Sequence, residues 1–209
     1  MSNQEGRLPD RRQRKYAAME RRMIDAGRDL IIQSGDARVS VAEIAERADV
    51  ALGTFYGHFE TREKFVAHFH TEAWTLLLDV VERAVLTVRT PHGSLACAIR
   101  EVFERLTASD PNIRFALTVE DDVVMGPGPL TDIGLSMITT GVEQGLFTRV
   151  RDAHHALMLV RTLIRGAARN DEHTMPWQHV AGHVLAMLGT SDDHISEAVT
   201  AASAIELRS

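Results

Sequence analysis

Proline occurs at only six positions, and none falls between residues 10 and 90 or between 130 and 175. An interior proline removes a helix hydrogen bond and clashes with the preceding turn. Two long proline-free runs therefore leave room for long helices, and the apolar residues use that room. Tyr16, Met19, Met23, Ala26 and Leu30 recur at the three- and four-residue steps of one helix face. Alternation of period two is hard to find anywhere. Gly35 ends this first helix, since glycine readily takes a left-handed cap. Ser40 and Glu43 fit the S-x-x-E capping box of a second, short helix. A third is expected over Ala51–Phe59, and a fourth from Arg62 to about Val88, closed by Thr90-Pro91-His92-Gly93. Later breaks give Ser94–Thr107, a short helix opened by Asp110-Pro111, Leu130–Gln144, Asp152–Arg169, Pro176–Leu188 and Asp192–Ile205. The chain reads as all-α, with about nine to ten helices.

The 209 residues suffice to bury a core. A charged fraction of 25% and a mean hydropathy of −0.11 argue against disorder and against a membrane protein. The polar N-terminus reads as no signal peptide. One cysteine, Cys97, can form no internal disulfide, so the chain reads as cytoplasmic. The net charge of −6 argues at first sight against a nucleic-acid partner. It is unevenly spread, however. Residues 1–60 carry ten basic and ten acidic side chains, whereas residues 61–209 carry 13 and 19. Within residues 7–22, seven cations face only Asp10 and Glu20, a local charge of +5. Such a basic arm, including Arg11, Arg12, Arg14 and Lys15, suits contact with DNA phosphates.

Residues 40–59, SVAEIAERADVALGTFYGHF, carry the most specific pattern. Two short helices joined by a tight turn make a helix-turn-helix, whose second helix can enter a DNA major groove. Val41, Ile44, Ala45, Val50, Phe55 and Phe59 can close a small core with the first helix. Left facing outward are Leu52, Gly53, Thr54, Tyr56, Gly57 and His58. Two glycines make a poor solvated helix surface. They suit a surface that another backbone must approach closely, with hydroxyl, phenol and imidazole groups meeting phosphates or base edges.

VAEIAERADV, ALGTFYGHF and TREKF together make residues from about Met23 to Val66 resemble the DNA-binding domain of the TetR family of bacterial transcriptional regulators. The remainder resembles the family only in being helical and in the stretch GVEQGLF at 141–147. The resemblance implies a homodimer with an N-terminal three-helix reading unit, here residues 1–64. It also implies a larger domain, residues 65–209, that dimerises and binds a small-molecule effector. It implies that Ser40, Thr54, Tyr56, His58 and Lys64 contact operator DNA, and that Gly53 permits close approach of the reading helix. Three positions depart from the family pattern, among them Gly57, which stands where a bulky residue often sits. Ala51 stands where a hydroxyl residue is common, and Leu52 where a polar or basic one is. Base readout should therefore be sparse, with Leu52 offering apolar contact to thymine methyls and shape readout contributing.

In the C-terminal part, residues 156–160 are apolar on all faces and are followed by Leu163, Ile164 and Ala167. A helix apolar all round needs a second partner. With Trp177, Val180, Ala181, Val184 and Leu188 on the next helix, Val160, Leu163, Ile164 and Ala167 are expected to form an intermolecular four-helix bundle. Arg161, Arg165 and Arg169 mark the polar edge. Trp74, Phe103, Phe115, Met125, Met137 and Phe147 are candidates to line an effector pocket.

Ten histidines invite a metal reading, as with the pair His179 and His183, but no fixed-spacing ligand motif is present and no metal or cofactor is expected. Cys97 has no recognisable histidine partner, and neither G-x-S-x-G nor a phosphate loop occurs, so no enzyme is expected. The sequence thus points to a DNA-binding regulator, most simply a repressor released by its effector. The alternative is an all-α small-molecule or metal-binding protein with a vestigial DNA unit.

Overall fold

The computed structural model describes residues 11–34, 39–108, 110–118, 128–168 and 175–205. These form ten helices with no strand among them. They are α1 (Arg11–Ser34), α2 (Val41–Arg47), α3 (Leu52–Phe59), α4 (Arg62–Thr87) and α5 (Pro91–Thr107). The rest are α6 (Pro111–Thr118), α7 (Pro129–Glu143), α8 (Ala153–Ala168), α9 (Trp177–Leu188) and α10 (Asp192–Ala204). The architecture is all-α, an N-terminal helix-turn-helix unit followed by a larger helical unit.

The chain divides into two compact units, Met1–Phe69 and His70–Ser209. The division falls later than residue 64 because the first turns of α4 complete the small unit's core. Phe65 and Phe69 are buried there with Phe55 and Phe59, the four rings meeting at centroid distances of 4.8–5.3 Å. Gly27 lets α1 lie against this cluster, since a Cβ there would come within 2.3 Å of the Phe65 ring. Met23, Ile31 and Ile44 are fully buried around it.

Two boundaries differ from the sequence reading. The basic residues Arg11, Arg12, Arg14 and Lys15 lie within α1 and are exposed, so they form a helical face and not an extended arm. Gln, Arg, Lys, Ala, Met and Glu dominate residues 11–20, and all are strong helix formers. Helix α5 begins at Pro91, with Thr90 at the N-cap position. The Pro-His-Gly sequence therefore opens a helix, whereas the sequence reading has it end one. Proline costs nothing in the first turn, where its missing N–H has no intrahelical acceptor. Gly93 fits because a Cβ would meet Val88 at 2.4 Å.

In the second unit α5 is the central helix, packing against α6, α7, α8, α9 and α10. Its buried residues run almost continuously from Pro91 to Ile99. This arrangement corrects part of the expected dimer surface. Val160, Val180, Ala181, Val184 and Leu188 are buried within the unit's own core. Helix α9 lies between α5, α8 and α10, so its second partner is in the same chain and these five side chains are not available to another. Leu163, Ile164, Ala167 and Trp177 are half-buried against the same core.

Candidate nucleic-acid interface

The local geometry of the helix-turn-helix follows from its sequence. Ser40 is the N-cap of α2: its hydroxyl accepts the Glu43 amide at 3.2 Å, and the Glu43 carboxylate accepts the Ser40 amide at 2.9 Å. The hydroxyl also donates to that carboxylate at 2.7 Å. These bonds hold the Glu43 carboxyl below the usual carboxylate range. At the other end of α2, Asp49 takes a positive φ of 52°, a conformation aspartate tolerates better than most residues. The Val50 amide then returns to the Ala45 carbonyl at 2.9 Å. Arg22 of α1 secures this turn by donating to the Ala48 carbonyl at 2.5 Å, with Asp49 at 3.5 Å.

Helix α3 starts at Ala51 without a side-chain cap, as its methyl group dictates. Phe55 and Phe59 fix its underside in the core. The opposite side presents Leu52 and Tyr56, each 48% exposed, with Gly53 and Gly57 beside them. A Cβ added at either glycine would meet nothing within 4 Å. Neither glycine is therefore required by packing inside the protein. Thr54 is half-buried.

Two expected contact residues are engaged locally. The His58 ring is half-buried and stacks on Tyr16 of α1, with centroids 3.8 Å apart and planes at 21°. The Tyr16 hydroxyl donates to the Gly57 carbonyl at 3.4 Å. The sequence reading places Tyr16 only on an apolar helix face, and its position directly after Arg11, Arg12, Arg14 and Lys15 is the signal available there. Lys64, in the first turn of α4, is exposed and pairs with Glu60 at 2.6 Å. Ser40 is exposed at the start of α2.

The second unit contains a cavity of about 120 Å³ bounded by α4 to α8. Of the six residues expected to line a pocket, Met137 does so. Phe103 and Phe147 are core residues away from its wall; Phe147 lies over Gly141, where a Cβ would come within 2.2 Å of the ring. Trp74 is half-buried and likewise off the wall. Met125 and the side chain of Phe115 lie outside the described residues. Lining residues that the sequence reading does not place there include Arg161 and Arg165, which it puts on an outer polar edge; Arg169 is outside the described residues.

Among the described residues, no group of three His, Cys, Asp or Glu is placed to hold a metal. His183 instead donates from Nδ1 to the His179 carbonyl at 2.7 Å. Cys97 is buried, and burial pushes its thiol up, away from the reactive thiolate. No described helix is long and apolar enough to cross a membrane.

With this geometry in view, comparison with known proteins is decisive for the first unit. The family model of bacterial regulatory proteins of the tetR family matches residues 23–69. The N-terminal unit belongs to the TetR family. An HTH-type transcriptional regulator of Mycobacterium tuberculosis (strain ATCC 25618 / H37Rv) is 32% identical over 91 residues, covering 44% of this chain and 46% of its own. The chain thus spans about half the length of the curated relatives it first matches. Over the whole fold, a gamma-butyrolactone receptor superimposes with a TM-score of 0.65 at 16% identity, covering 90% of this chain and 96% of that one. RolR in complex with resorcinol does so with 0.61 at 22% identity, covering 92% and 96%. At these identities the likeness is one of TetR-type fold.

Proposed function

We propose that the protein is a dimeric, sequence-specific DNA-binding transcriptional regulator of the cytoplasm, a repressor released from its operator by a small-molecule effector. The observation that carries this reading is the outer side of α3. It joins two glycines without a packing role to exposed Leu52 and Tyr56, on the second helix of a TetR-type helix-turn-helix. Leu52 and Tyr56 meet base edges and thymine methyls, and the glycines let the helix backbone come close. Arg11, Arg12, Arg14 and Lys15 on α1 add sequence-independent attraction to phosphates. Ser40, Thr54, His58 and Lys64 hold supporting roles. Ser40 and Lys64 must loosen their bonds to Glu43 and Glu60 to meet a phosphate, and His58 acts by positioning Tyr16 and the end of α3.

Dimerisation is assigned to α8, where Met158 and Leu159 are exposed, with half-buried Leu163, Ile164 and Ala167 and with Trp177 of α9. The effector belongs in the cavity of the second unit. Helix α4 contributes residues to both units and so carries the coupling between them, provided the effector binds two conformations with different affinity.

Selection of bound duplexes from a random DNA pool tests the reading. The expected result is a two-fold symmetric motif whose half-sites lie one helical turn apart. Affinity for it should fall steeply with salt, log K changing by about −0.9 per phosphate neutralised for each unit of log[salt]. A pool that yields no motif, and binding that ignores sequence, would overturn it in favour of a small-molecule-binding protein with a vestigial reading unit.

A further inference from the structure

Sixteen described residues line the cavity in the second unit, and among these all are apolar or glycine except Arg161 and Arg165. On a helix of 3.6 residues per turn, Leu157, Val160, Arg161, Ile164 and Arg165 share one face, and all five line the cavity. The two cations are therefore set into the apolar wall by the same periodicity that sets the aliphatic residues there.

Arg161 is half-buried, and among the described residues it makes one hydrogen bond, from Nη2 to the Thr131 hydroxyl at 2.9 Å, and no ion pair. Its guanidinium is pushed below its ordinary range, by burial first and then by the positive charge of Arg165. Both influences work against the charge, and an anion placed beside it would offset both. Nη2 carries two hydrogens, and the one not given to Thr131 lies beside either the Nε or an Nη1 hydrogen, a planar two-donor edge that matches a carboxylate.

Size constrains the rest of the molecule. An apolar cavity of about 150 Å³ accommodates benzene, so a cavity of about 120 Å³ limits the enclosed apolar body to no more than one ring or a short aliphatic chain. We propose that the effector of this protein is a small monocarboxylate, a single ring or short chain with one carboxylate, whose apolar body fills the cavity and whose carboxylate meets Arg161. This rests on the reading of the second unit as the effector-binding part. The carboxylate gives selectivity over uncharged molecules of the same shape. A neutral analogue leaves the arginine facing an apolar surface, and a buried polar group left without its partner is costly.

Calorimetric titration of the full chain, without DNA, tests the proposal. The probes are benzoate and hexanoate, each against its neutral counterpart, benzyl alcohol and hexan-1-ol. At least one acid should bind at least tenfold more tightly than its alcohol and raise the thermal midpoint. Arg161→Gln should bring that acid down to the level of the alcohol while leaving the alcohol unchanged, and Arg161→Lys should keep part of the difference. The proposal is overturned if none of the four binds, if alcohols match acids, or if Arg161→Gln leaves the difference intact. Should Arg161→Gln fail to fold, the acid–alcohol comparison on the unaltered chain decides. Because binding is read without DNA, this result and that of the duplex selection stand or fall separately.

Discussion

Gly53 is a residue whose cost and use fall in different states of the molecule. Glycine within a helix is less stable than alanine by about 0.5–1 kcal/mol, and nothing lies within 4 Å of the missing Cβ. Gly53→Ala should therefore stabilise the free protein by about that amount in chemical denaturation, while weakening operator binding in a titration. A variant that gains stability and binds undiminished would remove Gly53 from the interface. Residue identity alone made this glycine readable, because no local rule puts two glycines on the open side of an eight-residue helix. Residue identity says less about His58 and Lys64, which have local partners in the protein. Their partners, Tyr16 and Glu60, are settled by where α1 and the end of α3 meet, which no single-residue argument contains.

At the scale of elements, local signals translated well and facing did not. The capping box at Ser40 and Glu43 and the aspartate cap at Asp110 act over three residues, so sequence spacing suffices to find them. Which side of α8 turns inward depends on its packing against α5, α6, α7 and α9. Arg161 and Arg165 are on the correct periodicity for a polar edge, yet they line the cavity. The join of α5 and α10 gives a second example and a measurable consequence. His92 is buried, and neither ring nitrogen has a hydrogen-bond partner among the described residues. Burial lowers its pKa from the ordinary 6.5, helped by the nearby His194 and opposed by Glu197 at 3.9 Å. A histidine held neutral in the folded state binds its proton more readily when unfolded. Its contribution is thus intact above pH 6.5 and is lost as pH falls from there through the lower folded value. Denaturation midpoints should drop over that interval, and His92→Leu should flatten the drop. An equal slope in the variant would mean that other groups carry the titration.

For the whole molecule, the distinction between core and contact surface matters most. Apolar residues on α8 and α9 invite a two-chain bundle when counted along the sequence, but α5 covers most of them from within. What stays uncovered is smaller and more specific: Met158 at 47% and Leu159 at 49% exposed. Leu159→Glu should shift the protein toward monomer in sedimentation. Losing the second reading head should then weaken operator binding by roughly 10²-fold or more, the gain that linking two sites supplies. A dimer that survives this change would place the contact elsewhere on the unit. The all-helical class was legible because proline spacing and a 3.6 period act everywhere at once. The contact surface was not, since it is whatever the chain's own packing leaves over.

The missing cap of α3 has a consequence for discrimination. With Ala51 at its N-cap and glycine at two of eight positions, this helix owes its order to Phe55 and Phe59 beneath it. A cap would add about 1 kcal/mol and each alanine about 0.5–1 kcal/mol. A duplex that fits must supply that order itself, and so gives up part of its attraction before any shows as affinity. A duplex that fits poorly cannot supply it and is left with phosphate contacts alone. The weakness of the reading helix thus acts as a threshold, widening the interval between right and wrong sequences without a single additional base contact.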